Sequence, residues 1–165
     1  ITDSYTQENP VSLATFKPSK ITKFSYEKEK ELEWDRNKLL KLKQMDLFSD
    51  TEKVFNVVNK LPYKFYYHFQ DDEGKQSKMM IEDWEIGALY WNSLKNSNEE
   101  IAVQKVKAQY FDNFVNNKDL YLFLGTTLEF HRRKAKNPFV IIGVFYPKPI
   151  IDKKDSISQP TLFDL

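Results

Sequence analysis

An α+β fold is predicted by three observations. The stretch LPYKFYYHFQ (61–70) alternates aromatic and polar residues with period two. Two segments of helical period follow it, around DWEIGALYWNSL (83–94) and on to Phe114. Two apolar runs then close the patterned region, DLYLFLG (119–125) and NPFVIIGVFYP (137–147).

Taken in order, residues 1–15 are polar, contain Pro10 and read as an N-terminal linker. KPSKITKFSYE (17–27) alternates Ile21, Lys23 and Ser25 against Thr22, Phe24 and Tyr26, a strand pattern. The charge-dense EKEKELEWDRNKLLKLKQM holds Asp35, a good N-cap for a short helix burying Leu39, Leu40 and Leu42, with the charges as its solvated face. In the 61–83 stretch Tyr63, Phe65, Tyr67 and Phe69 share one face of a strand, and Lys64, Tyr66, His68 and Gln70 share the other. DDEG turns that strand into a hairpin, with Gly74 free to take a positive φ.

Asp83 caps a helix that places Ile86, Leu89, Tyr90 and Leu94 on one side. After the polar break NSNEE, Val103, Val106, Tyr110 and Phe114 form the stripe of a second helix, which ends at Asn116–Asn117. DLYLFLG and NPFVIIGVFYP are apolar at every alternate position of both faces, as central strands covered on both sides are. TTLEFHRRKAK joins them as a basic loop. The result is five strands with a helical insert between the third and fourth, the connectivity of an OB-like barrel. A plain curved sheet with helices on one face is the alternative. The expected core includes Phe65, Tyr67, Phe69, Leu122 and Ile141. The domain spans residues 16–148, and residues 149–165 form a tail.

Length suits a single domain of this kind. Lys and Arg number 25 against 24 Asp and Glu, so the net charge of +1 exerts no global pull on nucleic acid and any such binding needs a local patch. The chain has no cysteine, which excludes disulfides and thiolate metal sites and fits a reducing, cytoplasmic setting. No apolar run is long enough to cross a membrane, and ITDSYTQENP has neither the basic nor the apolar region of a signal peptide. Because the chain begins with Ile1 and not Met, the expectation is a segment of a longer protein.

The residues for catalysis are sparse, and no catalytic residue, metal ligand or cofactor is assigned. His68 alternates with aromatics in a strand, which points to a structural role, and His131 lies in the basic loop with no acid fixed beside it in sequence. Four scattered glycines cannot make a phosphate-binding loop. Glu82, Asp83 and Glu85 could in principle hold a hard cation, but the reading preferred is Asp83 as a helix cap with its neighbours favouring the helix dipole. Asp119, Glu129 and Lys134 suggest a metal-dependent nuclease, an alternative that metal-stimulated DNA cleavage would identify.

Nucleic-acid binding has a more concrete basis. Residues 130–154 carry seven cations, Arg132, Arg133, Lys134 and Lys136 among them, against the single anion Asp152. Phosphate contacts need such a patch. Base stacking needs aromatics beside it, for which Phe130, Tyr66 and Tyr146 are candidates. The same residues also read as a solvated loop beside a buried strand. DNA or RNA is therefore the expected ligand of Arg132, Arg133, Lys134 and Lys136.

The chain ends QPTLFDL. Gln159, Leu162 and Phe163 resemble the short peptide by which bacterial polymerases and repair proteins dock on the replicative sliding clamp: a glutamine, two variable positions, then Leu-Phe. In the archaeal and eukaryotic form of the peptide, Leu165 stands where an aromatic is usual. The resemblance implies a sliding clamp as partner, with the Gln amide hydrogen-bonding and Leu-Phe entering an apolar pocket. QMDLF (Gln44–Phe48) resembles the same peptide, although Leu47 and Phe48 could equally close the preceding helix onto the core. The body of the chain, through DWEIG and FLGTT within residues 17–148, resembles the C-terminal region of uncharacterised dual OB-domain proteins. That resemblance implies a barrel and a longer parent protein and carries no catalytic residue. The function expected is a nucleic-acid-associated accessory domain tethered to a clamp. A structural interaction domain of a mobile-element or defence complex is a further alternative, distinguished by clamp binding without nucleic-acid affinity.

Overall fold

The computed structural model describes residues 12–37, 58–127, 130, 133, 135 and 137–149. Its centre is a curved, mixed sheet of six strands: β1 (Leu13–Phe16), β2 (Lys20–Lys28), β3 (Tyr63–Gln70), β4 (Gln76–Ile81), β5 (Tyr121–Thr126) and β6 (Phe139–Phe145). Two helical elements join β4 to β5. The first is α1 (Trp84–Leu94). The second begins as α2 (Glu99–Lys107), passes through a π-helical segment (Ala108–Asn113) and ends in the short α3 (Phe114–Asn117). The order across the sheet is β1-β5-β6-β4-β3-β2, antiparallel throughout except for the parallel pairing of β4 with β6 at Ile81 and Ile141.

The α+β class and the helical insert are as the sequence predicts, but the sheet has six strands and not five. The added strand, Leu13–Phe16, takes up the last residues of the stretch read as linker. It pairs with β5 from Leu13↔Gly125 to Phe16↔Leu122, and Ala14 and Phe16 pack against the core. Only residues 17–19 separate it from β2, at the opposite end of the strand order. Ser19 N donates to Gln70 O (3.0 Å), and the Phe16 and Phe69 rings lie 5.3 Å apart. The curvature of the sheet therefore brings its two ends together.

In β3, Phe65, Tyr67 and Phe69 are buried with Leu122 and Ile141, as their alternation requires. In β2, Ile21 and Phe24 were expected on opposite faces, yet both are buried. The register with β3 shifts between Ile21 and Lys23, so an extra residue there returns Phe24 to the inner face. Gly74 takes φ 76° in the β3–β4 turn, where Asp71 Oδ1 accepts from the backbone N–H of Glu73 and of Lys75. Asp35 Oδ1 accepts from Asn37 N–H at 2.8 Å, consistent with its capping role; Leu39, Leu40, Leu42 and the QMDLF stretch lie outside the described residues.

The helices bury Ile86, Tyr90, Ala102, Val103, Val106, Tyr110 and Phe114 in one cluster with the inward residues of the strands. The burial of both faces expected of β5 and β6 is found in part. Both strands are interior to the sheet, and Val140 is buried between the inward Phe139 and Ile141, but Phe123, Ile142 and Phe145 stand exposed on the outer side. The described helices pack with the inner residues.

Candidate nucleic-acid interface

The outer face of β2, β3 and β4 is built by the same alternation that fills the core. With Phe65, Tyr67 and Phe69 inward, Lys64, Tyr66 and His68 must project outward. Strand pairing then sets Lys23 opposite His68, Ser25 opposite Tyr66 and Glu27 opposite Lys64. On the other side, Met80 lies opposite Tyr66 and Lys78 opposite His68. Two aromatic rings thus stand in the middle of a face that carries Lys23, Lys64 and Lys78 against Glu27 and Glu29.

These side chains are ordered by one another. Lys78 Nζ lies 4.0 Å from the Tyr66 ring centroid, a cation–π contact, and 2.6 Å from Glu27 Oε1. Tyr66 O–H donates weakly to Glu27 Oε2 at 3.4 Å. The hydrogen bond from Lys78 holds the Glu27 carboxyl below its ordinary range. Partial burial pushes the Tyr66 hydroxyl up, with the Glu27 charge adding to it. Lys64 is raised by its bond to Glu29, 3.0 Å away. His68 Nε2 shares a hydrogen bond with Ser25 Oγ at 2.8 Å. Burial, then the Lys23 and Lys78 charges, lower its affinity for a proton. A half-buried imidazole bonded to Ser25 agrees with the structural role expected of it, and it also lies in a cationic surround.

The structure brings only some of the sequence-predicted residues to this face. Tyr66 is there. Arg133 is exposed in the β5–β6 connection; Arg132, Lys134, Lys136 and His131 lie outside the described residues. Phe130 is half-buried, its N–H donating to Thr127 Oγ1 at 3.2 Å. Tyr146 is elsewhere: it follows the far end of β6 and stacks on Phe114 with ring centroids 4.0 Å apart. It does not join Tyr66. Gln159, Leu162, Phe163 and Leu165 lie outside the described residues.

Of the acids suggested for a nuclease, Asp119 is engaged otherwise. Asp119 Oδ1 is 2.8 Å from Lys17 Nζ, which also lies over the Tyr121 ring; Glu129 and Lys134 are outside the described residues. Asp83 caps α1 by accepting from Glu85 N–H at 3.0 Å, as predicted. It is also buried, and its Oδ2 accepts from Tyr110 O–H and Val144 N–H, each at 3.3 Å. It ties three elements together. Among the described residues no group of three or more His, Cys, Asp and Glu is placed to hold a metal ion.

Lys23, Ser25, Glu27 and Lys78 were not singled out by the sequence. The signal available was the polar half of the 63–70 alternation, which names one strand of the face; the neighbours on β2 and β4 follow only from register.

Fold and surface together define a small α+β domain whose mixed sheet carries an aromatic–basic outer face. The model of the family described as "Domain of unknown function (DUF8757)" matches residues 1–165, and the chain belongs to that family. Comparison with curated proteins and with solved structures finds no match.

Proposed function

We propose that this domain is a nucleic-acid-associated accessory module, binding single strands on the outer face of β2–β4 and tethered to a replication sliding clamp by Gln159, Leu162, Phe163 and Leu165. The observation that carries the reading is the row of Tyr66 and His68 set among Lys23, Lys64 and Lys78: rings for stacking and cations for phosphates on one surface. Connectivity supports it. Counted as one bent strand, β1 and β2 pair with β5 on one side and β3 on the other. With β4 parallel to β6 and the helices between β4 and β5, this order supports reading the sheet as a five-stranded OB-like barrel. In such barrels the second and third strands, here β3 and β4, carry the oligonucleotide. Arg132, Arg133, Lys134 and Lys136 are the further cations that this reading assigns to phosphate contacts.

The decisive measurement is fluorescence anisotropy with a labelled DNA or RNA single strand over a salt series. Affinity should fall steeply with salt, and Tyr66→Ala with Lys78→Ala should remove most of it. An absence of binding at about 50 mM salt would end this reading. The clamp tether is tested separately, by pull-down with the clamp and the Leu162→Ala, Phe163→Ala double variant.

A further inference from the structure

Beyond the nucleic-acid face, the sheet carries a second surface of opposite character. On the outer side of β5 and β6, Phe123, Ile142 and Phe145 stand exposed, together with Leu13 of β1 and Trp84 at the start of α1, which is 77% exposed. Two glycines make this patch continuous. A Cβ on Gly125 would sit 3.0 Å from Ile142 Cγ2 and 3.6 Å from Leu13 Cδ2, so Ile142 lies across the bare backbone and reaches Leu13. Phe123 lies likewise over Gly143, and its ring centroid is 6.3 Å from that of Phe145. Between this row and Trp84 runs a groove of about 470 Å³, lined also by Tyr146 and Pro147.

Apolar residues gathered in this way, with Trp and Phe at the centre, are the composition of a protein-binding hot spot and not of an ordinary surface. Charge selects the occupant. The described lining contains no Lys, Arg or His. Its carboxylates are Asp83, buried and already accepting from Tyr110 and Val144, and Glu85, which is exposed and forms no ion pair among the described residues. Such a wall repels phosphate. It attracts a cation, which also gains from the aromatic faces. A second copy of the chain fits poorly, because a two-fold contact through this lining supplies no cation to meet Glu85.

We propose that this groove docks a peptide segment of a partner protein in which aromatic or aliphatic anchors adjoin a Lys or Arg, the anchors entering between Trp84 and Phe145 and the cation meeting Glu85. The groove's lining shares no residue with the β2–β4 face.

The test is selection from a displayed random-peptide library on the full chain, followed by anisotropy with the enriched peptides and sedimentation of the protein alone. The expected result is enrichment of peptides that combine apolar residues with Lys or Arg. Trp84→Ala and Phe145→Ala should each weaken them at least about tenfold without lowering the melting temperature, since both side chains are exposed. Glu85→Lys should weaken basic peptides and favour acidic ones. Enrichment of acidic or uncharged peptides, indifference to Glu85→Lys, or no enrichment at all would overturn the proposal. So would a dimer that Phe145→Ala dissociates, or displacement of bound peptide by single-stranded DNA.

Discussion

Glu27 illustrates how one side chain can restrain a surface. It occupies Lys78, which would otherwise be free for a phosphate, and the pair covers the Tyr66 ring. Glu27→Gln should therefore strengthen nucleic-acid binding several-fold at low salt, with an additional phosphate contact visible as a steeper salt slope. Weaker binding in that variant would mean that Glu27 supports the site. His68 adds a pH dependence. Its folded-state pKa lies below the ordinary 6.5, first because of burial and then because of Lys23 and Lys78. Lowering the pH through 6.5 protonates the unfolded chain before the folded one, so stability is lost in that direction. Phosphate, in contrast, favours the imidazolium, so affinity should rise as pH falls below about 6.5. His68→Ala should flatten the affinity profile; a profile unchanged by that substitution would remove His68 from the site. Tyr90 is a separate case. It is fully buried, its hydroxyl has no hydrogen-bond partner among the described residues, and burial pushes its pKa up to about 12. Tyr90→Phe should be neutral or stabilising by up to about 1 kcal/mol in urea unfolding, whereas a large loss would reveal a partner for the hydroxyl.

At the scale of elements, Asp83 shows how a cap becomes a joint. The same carboxylate ends α1, bonds the Tyr110 hydroxyl in the π-helical segment and holds the Val144 amide of β6. Tyr67 O–H in turn donates to Tyr110 O, so the segment is fixed from both the sheet and α1. Asp83→Ala leaves buried donors without an acceptor and should cost about 2–4 kcal/mol, more than an ordinary cap. A loss under about 1 kcal/mol would show that Asp83 acts as a cap alone. The paired strands β5 and β6 offer a second test. Gly125→Ala puts a methyl against Ile142, so it should cost about 1–3 kcal/mol, and Ile142→Ala in the same chain should recover part of that. Additive losses would mean that the two residues do not compete for the same space.

For the molecule as a whole, the two outer surfaces divide the labour that the proposed reading requires. One face is aromatic and basic, the other aromatic with an acid that has no ion pair among the described residues, and the helices pack within the core they share. In the proposed reading the tail would add a third contact. Two apolar side chains entering a clamp pocket are worth roughly 3–6 kcal/mol before ordering costs, which leaves a micromolar affinity as the expectation. Leu162→Ala with Phe163→Ala should abolish clamp binding and leave both the melting temperature and nucleic-acid affinity unchanged. If thermal stability falls by several kcal/mol instead, those residues belong to the domain's own core.

Residue pattern alone determined the strands through Phe65, Leu122 and Ile141, the helical stripe from Val103 to Phe114, the Gly74 turn and the Asp83 cap. Each follows from rules acting over a few neighbouring residues: alternation, helical period, a permissive φ, a side chain bonded to a nearby amide. Tertiary structure decided the rest. The four-residue β1 has too little pattern to declare itself and exists because β5 offers it an edge. The bulge before Lys23 overrode the simple alternation of Ile21 and Phe24. The aromatic runs of β5 and β6 look two-sided in sequence, but whether their outer face is covered depends on where distant helices pack. Both candidate surfaces arise in the same way. Tyr66 meets Glu27 and Lys78, and Trp84 meets Phe145, across separations in the chain that no local rule spans; only strand register and sheet curvature bring them together.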